Sequence, residues 1–399
     1  MNEPETARPL SRVRLGDVCE ILNGFAFKSE GYRDHGIRII RISNVQKGAV
    51  VDSDPKFYPT NAGNEFVQYM LRANDLLVSL TGNPGRVGLV PVELLPAALN
   101  QRVACLRPLD ENRLSTRYLF YLLDADRFER ACVNSSYGMA QKNLSTEWLK
   151  EYQITLPSLQ EQRCIVAKLD EQMATLASAQ AALAAQREAA TALRSAVLRT
   201  ALDPATHPGW RRTTLHDIVA LDLQQVTADS PIARELPYLG MEDIESQTSK
   251  ILSRAAPNLK VLSNTFAFDS RHVLYGKLRP YLNKVACPDF TGRCSTELVP
   301  LLPNDQVSRR YLAWILRRPE TVTAALEGKT GSRMPRANMH SLLEMNVRFP
   351  SLPEQRRIAK ELDDGMKQID SMITSLDAQA ATLGSLRTSL LDAAFSGQV

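Results

Sequence analysis

The phrase LPSLQEQRCIVAKLD at residues 156–170 returns as FPSLPEQRRIAKELD at residues 349–363. Shifting the sequence by 193 residues (349 − 156) aligns 156–202 with 349–395 without a gap, and 18 of those 47 positions are identical. Weaker matches extend upstream, such as RYL at 117–119 and again at 310–312. The chain therefore contains two tandem copies of one unit, each a divergent block of about 150 residues followed by a better-matched segment of about 45.

Each repeated phrase has the pattern that begins a helix. A serine followed three residues later by a glutamate forms a capping box, in which the serine hydroxyl accepts from a main-chain N–H and the glutamate bonds back to the serine N–H. We predict that these caps, and the Gln-Arg pairs just inside them, are hinge or docking positions where block meets helix. They are Ser158, Glu161, Gln162 and Arg163 in the first copy, and Ser351, Glu354, Gln355 and Arg356 in the second.

Apolar residues in both helical segments recur every seven residues, which is typical of a coiled coil. They are Leu169, Leu176, Leu183, Ala190 and Val197 in the first segment, and Leu362, Ile369, Leu376, Leu383 and Leu390 in the second, with Ile358, Met372 and Leu386 at the other seam position. Because each segment has one apolar seam, the two are expected to pack together with pseudo-two-fold symmetry. Each helix would be roughly 60–65 Å long at about 1.5 Å per residue.

The blocks mix strand-like and helix-like patterns. IRIIRISNV (37–45) and DLLVSL (75–80) are short strand-like runs bounded by turn formers, whereas 117–131 and 310–326 are typical of helices, with a break expected near Pro319. We predict an α+β protein in which two α/β-type domains are separated by a long antiparallel two-helix coiled coil. The predicted divisions are a first domain at 1–157, a central helical region at 158–203, a second domain at 204–350 and a C-terminal helical region at 351–397.

Composition favours a soluble globular protein, because 44% of residues are hydrophobic and 23% are charged. No run approaches the roughly 18 apolar residues of a membrane span, and the opening MNEPETARPL has no apolar signal region, so we expect a cytoplasmic protein without a membrane partner. A net charge of +4 is compatible with nucleic-acid binding without requiring it. The six cysteines are scattered, which favours buried reduced thiols over disulfides or a zinc site.

No catalytic or cofactor motif emerges from the sequence. GKT at 328–330 lacks the earlier glycine of a phosphate loop, since that position is Thr323. There is no GxGxxG fingerprint, and none of the five histidines has another at metal-ligand spacing. We therefore expect a chain with no catalytic residues, no metal and no cofactor of its own, so that binding is the better hypothesis.

Both blocks carry polar loops at corresponding points. The loops combine Gly or Pro turns with the side chains that bond base edges and phosphates. In the first block they are GFAFKS (24–29), TGNPGRVG (81–88), NQR (100–102) and YGMAQKN (137–143); in the second they are YGKLRPYLNK (275–284), GRCSTE (292–297) and GKTGSRMPRAN (328–338). The candidate DNA contacts are Lys28, Arg86, Arg102, Gln141, Lys142 and Asn143 in the first block, and Lys277, Arg279, Tyr281, Lys284, Arg333 and Arg336 in the second.

Matched helices with divergent blocks are what recognition of a bipartite site requires. Two DNA-recognising blocks held at a fixed separation contact two half-sites. If the two blocks differ, the composite site is asymmetric. The doubled Pro-x-x-Glu-Gln-x-x-Ile phrase, the order block, helix, block, helix, and RLGDVCEILNGFAFKS near the front together resemble the specificity subunits of type I restriction-modification systems along the whole chain. The second block departs from that pattern, because LDLQQVTAD follows TLHDI where the family has a GxxF-K type segment.

The resemblance implies a non-catalytic subunit with two target recognition domains that bind double-stranded DNA. It also implies that the helical regions form an antiparallel coiled coil, which acts as a ruler and docks two methylation subunits that bring restriction subunits. S-adenosylmethionine, ATP and magnesium would then be bound by the partner subunits rather than by this chain.

Two other functions remain open at this level. In the first, the coiled coil is an assembly scaffold whose blocks bind proteins rather than DNA. In the second, the chain is a DNA-modifying enzyme with an unrecognised site. A scaffold predicts no sequence-dependent DNA affinity, whereas an enzyme predicts methyl transfer or cleavage by this chain alone.

Overall fold

The computed structural model describes residues 11–60, 64–135, 144–203, 209–253, 263–327 and 334–396. Packing divides the chain into two compact units, one formed by Met1–Leu183 with Ala378–Val399 and the other by Ala184–Asp377. The sequence-based divisions fall at the ends of the long helices. The packing units divide within those helices instead, because each block packs with the beginning of one long helix and the end of the other.

Unit 1 is a mixed α/β block followed by a long helix. Its strands are β1 (Ser11–Arg14), β2 (Cys19–Asn23), β3 (Ile37–Ile40), β4 (Val45–Gln46), β5 (Ala49–Val50), β6 (Phe57–Tyr58), β7 (Leu76–Ser79), β8 (Val87–Leu89), β9 (Ala97–Leu99), β10 (Val103–Pro108) and β11 (Gln153–Leu156). Its helices are α1 (Leu15–Val18), α2 (Thr116–Asp124), α3 (Asp126–Ser135), α4 (Thr146–Glu151) and the start of α5 (Leu159–Ala201), with 3-10 turns at Ser29–Gly31, Ile42–Asn44, Asn64–Tyr69 and Val92–Leu94.

The main sheet of unit 1 has the strand order β2-β10-β7-β8 and is antiparallel throughout. A second sheet has the order β6-β3-β9, in which β3 and β9 are parallel. Strand β11, just before the long helix, pairs with β1, so that Leu156 lies opposite Ser11. This pairing joins the two ends of the block at the point where α5 begins.

Unit 2 repeats this arrangement. Its strands are β12 (Arg211–Thr214), β13 (Val219–Leu221), β14 (Gln225–Val226), β15 (Tyr238–Leu239), β16 (Thr265–Phe268), β17 (Val273–Gly276), β18 (Val285–Ala286), β19 (Gly292–Ser295), β20 (Leu298–Pro303) and β21 (Asn346–Phe349). Its helices are α6 (Pro231–Glu235), α7 (Arg309–Leu316), α8 (Pro319–Leu326), α9 (Met339–Leu343) and the start of α10 (Leu352–Phe395), with a 3-10 turn at Pro280–Leu282.

The sheet order β13-β20-β17-β18 in unit 2 matches β2-β10-β7-β8 in unit 1, and the closing pair β12-β21 matches β1-β11. The second sheet, β14-β16-β19-β15, also contains one parallel pair, β15 with β19. The two blocks therefore share a topology although their letters have diverged, which confirms the internal repeat.

Helices α5 and α10 form an antiparallel pair, as the seven-residue spacing and the pseudo-two-fold duplication together predict. In unit 1 the start of α5 contributes Leu169 to the same core as Leu391 and Phe395 from the end of α10. In unit 2 the end of α5 contributes Leu198 to the core that holds Leu362 and Ile369 of α10.

The predicted second seam position is wrong for two residues. Met372 is 51% exposed and Leu386 is 43% exposed, whereas Leu391 is fully buried. Each helix of the pair buries only one narrow stripe of the other helix. The blocks cover the sides of the two helices only near the helix ends. Apolar residues beside the stripe therefore stay at the surface.

Helix boundaries inside the blocks follow local chemistry. The predicted break near Pro319 is confirmed, because α7 ends at Leu316 and Pro319 is the first residue of α8. The single helix predicted over 117–131 is instead α2 and α3, split at Ala125, whose main chain is extended.

Four of the six free cysteines are buried, whereas Cys164 is exposed and Cys287 is partly buried. None of the helices among the described residues is long and apolar enough to span a membrane.

Candidate nucleic-acid interface

The polar loops of unit 1 meet at one end of the main sheet. The main-chain N–H of Gln101 donates to the carbonyl of Phe25 at 2.9 Å, and the N–H of Leu80 donates to the carbonyl of Arg102 at 3.0 Å. Three segments that are distant in sequence, 24–25, 80–82 and 100–102, are therefore tied together. The approach is close at Gly24, where a Cβ atom would lie 2.1 Å from the carbonyl oxygen of Asn100.

Unit 2 builds the same frame from different residues. The N–H of Lys277 donates to the carbonyl of Glu297 at 2.9 Å, as Leu80 does to Arg102 in unit 1. The N–H of Ala337 donates to the carbonyl of Lys277 at 2.7 Å, which matches the 2.7 Å bond from Leu144 to Leu80. Lysine thus replaces Leu80 and glutamate replaces Arg102 at equivalent places of one scaffold.

Lys28 and Arg102 are the exposed cationic candidates of unit 1. Within the described ranges, neither side chain forms an ion pair, so both are available to an anionic ligand. Arg86 is engaged instead, since its guanidinium donates to Gln46 Oε1 at 2.9 Å and lies 4.0 Å from the Glu129 carboxylate. Gln141, Lys142 and Asn143 lie outside the described residues.

In unit 2 two candidates already have partners. The Lys284 ammonium donates to the carbonyl of Met241 at 2.7 Å. The Arg336 guanidinium pairs with the Glu297 carboxylate through bonds of 2.9 to 3.2 Å, and this hydrogen bonding raises the pKa of Arg336. Sequence reasoning could not identify these partners, because both are remote along the chain.

The other candidates of unit 2 line one loop that follows β17. Lys277 and Arg279 are half-buried, and Tyr281 is 48% exposed. Arg279 adopts the left-handed conformation (φ 51°), and its N–H donates to the carbonyl of Pro335 at 2.8 Å. This bond places the loop beside the segment that contains Arg336. Arg333 falls outside the described residues.

The predicted docking residues lie where each block meets its helix. Ser158 and Glu161 form a capping box, with the Ser158 N–H donating to the glutamate at 2.8 Å and the Glu161 N–H donating to the serine hydroxyl at 3.3 Å. The Ser158 hydroxyl also donates to the Glu161 carboxylate at 2.7 Å, and this bond, together with that from the Ser158 N–H, holds the pKa of the Glu161 carboxyl below its ordinary value. In the second copy the carboxylate of Glu354 pairs with Arg357, and Ser351 is exposed.

The glutamines of the repeated phrase are fully buried and bind the blocks. Gln162 Oε1 accepts from the N–H of Ser115 at 2.9 Å, and its Nε2 donates to the carbonyls of Arg113 and Pro157 at 2.9 and 3.0 Å. Gln355 makes the equivalent hydrogen bonds in unit 2, where its Oε1 accepts from the N–H of Ser308 at 2.7 Å.

The same side chain of Gln355 donates to the carbonyls of Gln306 and Pro350 at 2.9 Å each. Ser115 and Ser308 are themselves the N-caps of α2 and α7. In each unit one glutamine thus joins a long helix to a helix of the block, α2 in unit 1 and α7 in unit 2. The neighbouring Arg163 and Arg356 are exposed.

A second clamp recurs in both units and was missed by sequence reasoning. Arg117 donates to Asp170 at 2.7 and 2.9 Å in unit 1, and Arg310 pairs with Asp363 at the equivalent positions of unit 2. The arginine and the aspartate are each identical in the two copies under the 193-residue shift, and this identity was the sequence signal that could have revealed the pairs.

Among the described residues, no cluster of His, Cys, Asp or Glu could hold a metal ion.

Comparison with known proteins finds similar sequences and a similar fold. Residues 9–185 match the family described as the type I restriction modification DNA specificity domain. The Escherichia coli EcoDI specificity subunit is 25% identical over 75% of this chain and 73% of its own length, and the E. coli EcoBI specificity subunit is 24% identical over 97% and 86%.

Among solved structures, a chain from a study of complex assembly and conformational transition of the type I R-M system has a TM-score of 0.73, at 21% identity over 98% of this chain and 99% of that one. The HsdS subunit from Thermoanaerobacter tengcongensis has a TM-score of 0.54, at 20% identity over 98% of each chain. Both likenesses concern the fold.

Residues 9–185 belong to that domain family, and nearly the whole chain is similar to type I specificity subunits. Its role is therefore in DNA sequence specificity within a type I restriction-modification system. In this specificity subunit, the frame of loops at the sheet end is the candidate DNA interface, and the buried glutamines and Arg–Asp pairs fix each block on the long helices.

Proposed function

We propose that this specificity subunit is non-catalytic and reads an asymmetric, bipartite target in double-stranded DNA, with one half-site for each unit. The observation that supports this most directly is the duplicated loop frame with unlike side chains. Arg102 stands at the place that Glu297 takes in unit 2, and Leu80 stands at the place of Lys277. An exposed cation in unit 1 and a carboxylate paired with Arg336 in unit 2 present different groups at equivalent points, so we do not expect the two units to favour the same base edge.

Methylation mapping with the cognate partner subunits tests this proposal. The expected result is a single gapped motif whose two halves differ. A continuous motif, or a palindromic one, would contradict the reading by two unlike domains. Absence of sequence-dependent DNA affinity in the assembled complex would favour the scaffold function instead.

We further propose that α5 and α10 dock two methylation subunits, through which restriction subunits join the complex. S-adenosylmethionine, ATP and magnesium would then be bound by those partners. Exposed apolar side chains on the helices support docking, since Leu193 is 47% exposed, Met372 51% and Leu386 43%. Apolar groups at the surface of a helix are what a protein partner buries.

Replacing one of these apolar groups tests the docking proposal. Met372→Lys should weaken co-purification with the methylation subunit, because a charge would be buried at the contact. Thr374→Lys, at an exposed position on the opposite face of the same helix, is the matched control and should leave the assembly intact. Equal assembly of both variants would argue against docking at this part of α10.

A further inference from the structure

The two units differ in charge at one buried position. In unit 1, Asp124 at the end of α2 is 3% exposed and pairs with Arg387 of α10. Shifting by 193 residues places Arg317 at the position of Asp124 (124 + 193) and Arg194 at that of Arg387 (387 − 193). A carboxylate–guanidinium pair in one unit is therefore replaced by two guanidinium groups in the other.

The two guanidinium groups of unit 2 converge on one oxygen. Arg194 Nη1 donates to the carbonyl of Gln247 at 3.3 Å, and Arg317 Nη2 donates to the same oxygen. Arg317 is 7% exposed and stacks on Trp314 at 4.2 Å. Gln247 has a positive φ of 67°, and its side chain donates to the carbonyl of Tyr281 at 2.9 Å, which holds the shared acceptor in place.

The carboxylates near the pair mainly serve other cations, and Glu245 acts on Arg194 rather than on Arg317. Arg194 pairs with Asp370. Asp363 is already engaged by Arg310 and by Trp314, whose Nε1 donates to it at 3.0 Å. Within the described part of unit 2, no carboxylate pairs with Arg317, and burial together with Arg194 lowers its pKa to about 10. Arg317 is still protonated at neutral pH and is a buried cation without its own counter-ion.

A cavity of about 360 Å³ lies beside this pair. Its lining includes both guanidinium-bearing residues with Trp314, Tyr281, Asn283 and Thr323. Arg194 Nε and Arg317 Nε have no hydrogen-bond partner among the described residues. Apolar walls with a few converging polar groups, in a volume of this size, are typical of a small-ligand site.

We propose that Arg194 and Arg317 bind a phosphoryl group in this cavity. A phosphoryl group carries several acceptor oxygens, so it can accept from two guanidinium forks at once and supply the negative charge that the cavity lacks. The group belongs either to a free nucleotide or to the DNA backbone. The site does not rest on the proposed bipartite reading, because phosphate binding is measured directly.

Calorimetric titration of the full-length chain with inorganic phosphate and with AMP, at constant ionic strength, tests the site. Arg317→Asp restores the charge pattern of unit 1 and should weaken phosphate binding at least tenfold. Arg317→Lys keeps the positive charge but loses the paired N–H donors of the guanidinium group, and should weaken phosphate binding about threefold to tenfold. Arg234→Asp makes the same charge change at an exposed position of α6 and should leave phosphate affinity within about twofold.

Competition with duplex DNA separates the two sources. If the backbone supplies the phosphoryl group, duplex displaces AMP and the salt slope of DNA binding falls by about 0.9 in Arg317→Asp. If a free nucleotide supplies it, AMP binds equally at saturating DNA. Absence of phosphate binding to the unmodified chain, or equal binding to Arg317→Asp, would overturn the site. The gapped motif expected from methylation mapping does not depend on whether this cavity binds phosphate.

Discussion

The side chain of Gln162 accepts a hydrogen bond at 2.9 Å from the main-chain N–H of Ser115, 47 residues earlier in the sequence. Because Ser115 caps α2 and Gln162 lies in the first turn of α5, this bond fixes the angle at which the block leaves the long helix. Gln355 and Ser308 form the equivalent bond at 2.7 Å in unit 2. Each unit thus depends on one buried amide that satisfies three main-chain groups.

Gln162→Ala should destabilise unit 1 by about 1–3 kcal/mol, because it leaves an N–H and two carbonyls without partners in a fully buried place. Urea unfolding measures the change in free energy of unfolding. Arg163→Ala, at the exposed neighbouring position, is the control and should stay within about 0.5 kcal/mol. A loss for Gln162→Ala no larger than that of the control would show that water replaces the amide at little cost.

The stability of unit 1 should fall between about pH 4 and pH 6 through Asp124. Burial raises the pKa of this carboxyl from 3.8 to about 6, although Arg387 opposes the shift. The folded state therefore holds the proton more tightly than the unfolded state, so Asp124 favours folding most at low pH and this contribution is lost as pH rises through about 6. The difference is roughly 3 kcal/mol at most.

Unfolding curves for the unmodified chain and Asp124→Asn, collected from pH 4.5 to 7.5, isolate this carboxyl. The unmodified chain should lose stability relative to Asp124→Asn as pH rises to about 6, and the gap should then become constant. Arg387→Met should enlarge the loss above pH 6, because the ionised carboxylate would lack its partner. Parallel curves across the range would contradict the pKa assignment.

The sequence predicted the parts of this fold that depend on local pattern. The doubled phrase indicated the internal repeat, the starts of α5 and α10 and their antiparallel pairing, since capping boxes and seven-residue spacing are local signals. The exposure of Met372 and Leu386 could not be predicted, because it depends on how far the blocks cover the helix flanks.

Candidate DNA contacts were harder to predict for a related reason. A polar loop is visible in the sequence, but its side chains compete for partners that only the fold brings near. Lys284 meets the carbonyl of Met241, and Arg336 meets Glu297, 39 residues away. Arg102 has no such ion pair within the described ranges. Sequence pattern therefore located the loops, whereas tertiary contacts decide which cations remain available.

Gly24→Ala should disturb the loop frame of unit 1. Its Cβ would lie 2.1 Å from the carbonyl oxygen and 2.2 Å from the carbonyl carbon of Asn100, main-chain atoms that cannot rotate away. We expect a loss of about 2 kcal/mol or more in the free energy of unfolding. Gly365→Ala on α10 is a matched substitution with nothing within 4 Å, and should stabilise by about 0.5–1 kcal/mol because alanine favours helix. Similar effects from both substitutions would contradict the close approach at Gly24.

Arg102→Ala should relax recognition of one half-site only. Arg102 is exposed at the turn between β9 and β10, so its guanidinium can reach a base edge, and its loss should cost about 1–3 kcal/mol of discrimination there. Arg336→Ala should change the other half-site less, because the Glu297 carboxylate already occupies that guanidinium. Binding of the assembled complex to duplexes with single changes in either half measures both effects, with Lys150→Ala, which removes an exposed cation of α4, as the control. Uniform weakening on every duplex would identify Arg102 as a phosphate contact, and a change in the second half-site would contradict the assignment of one half-site to each unit.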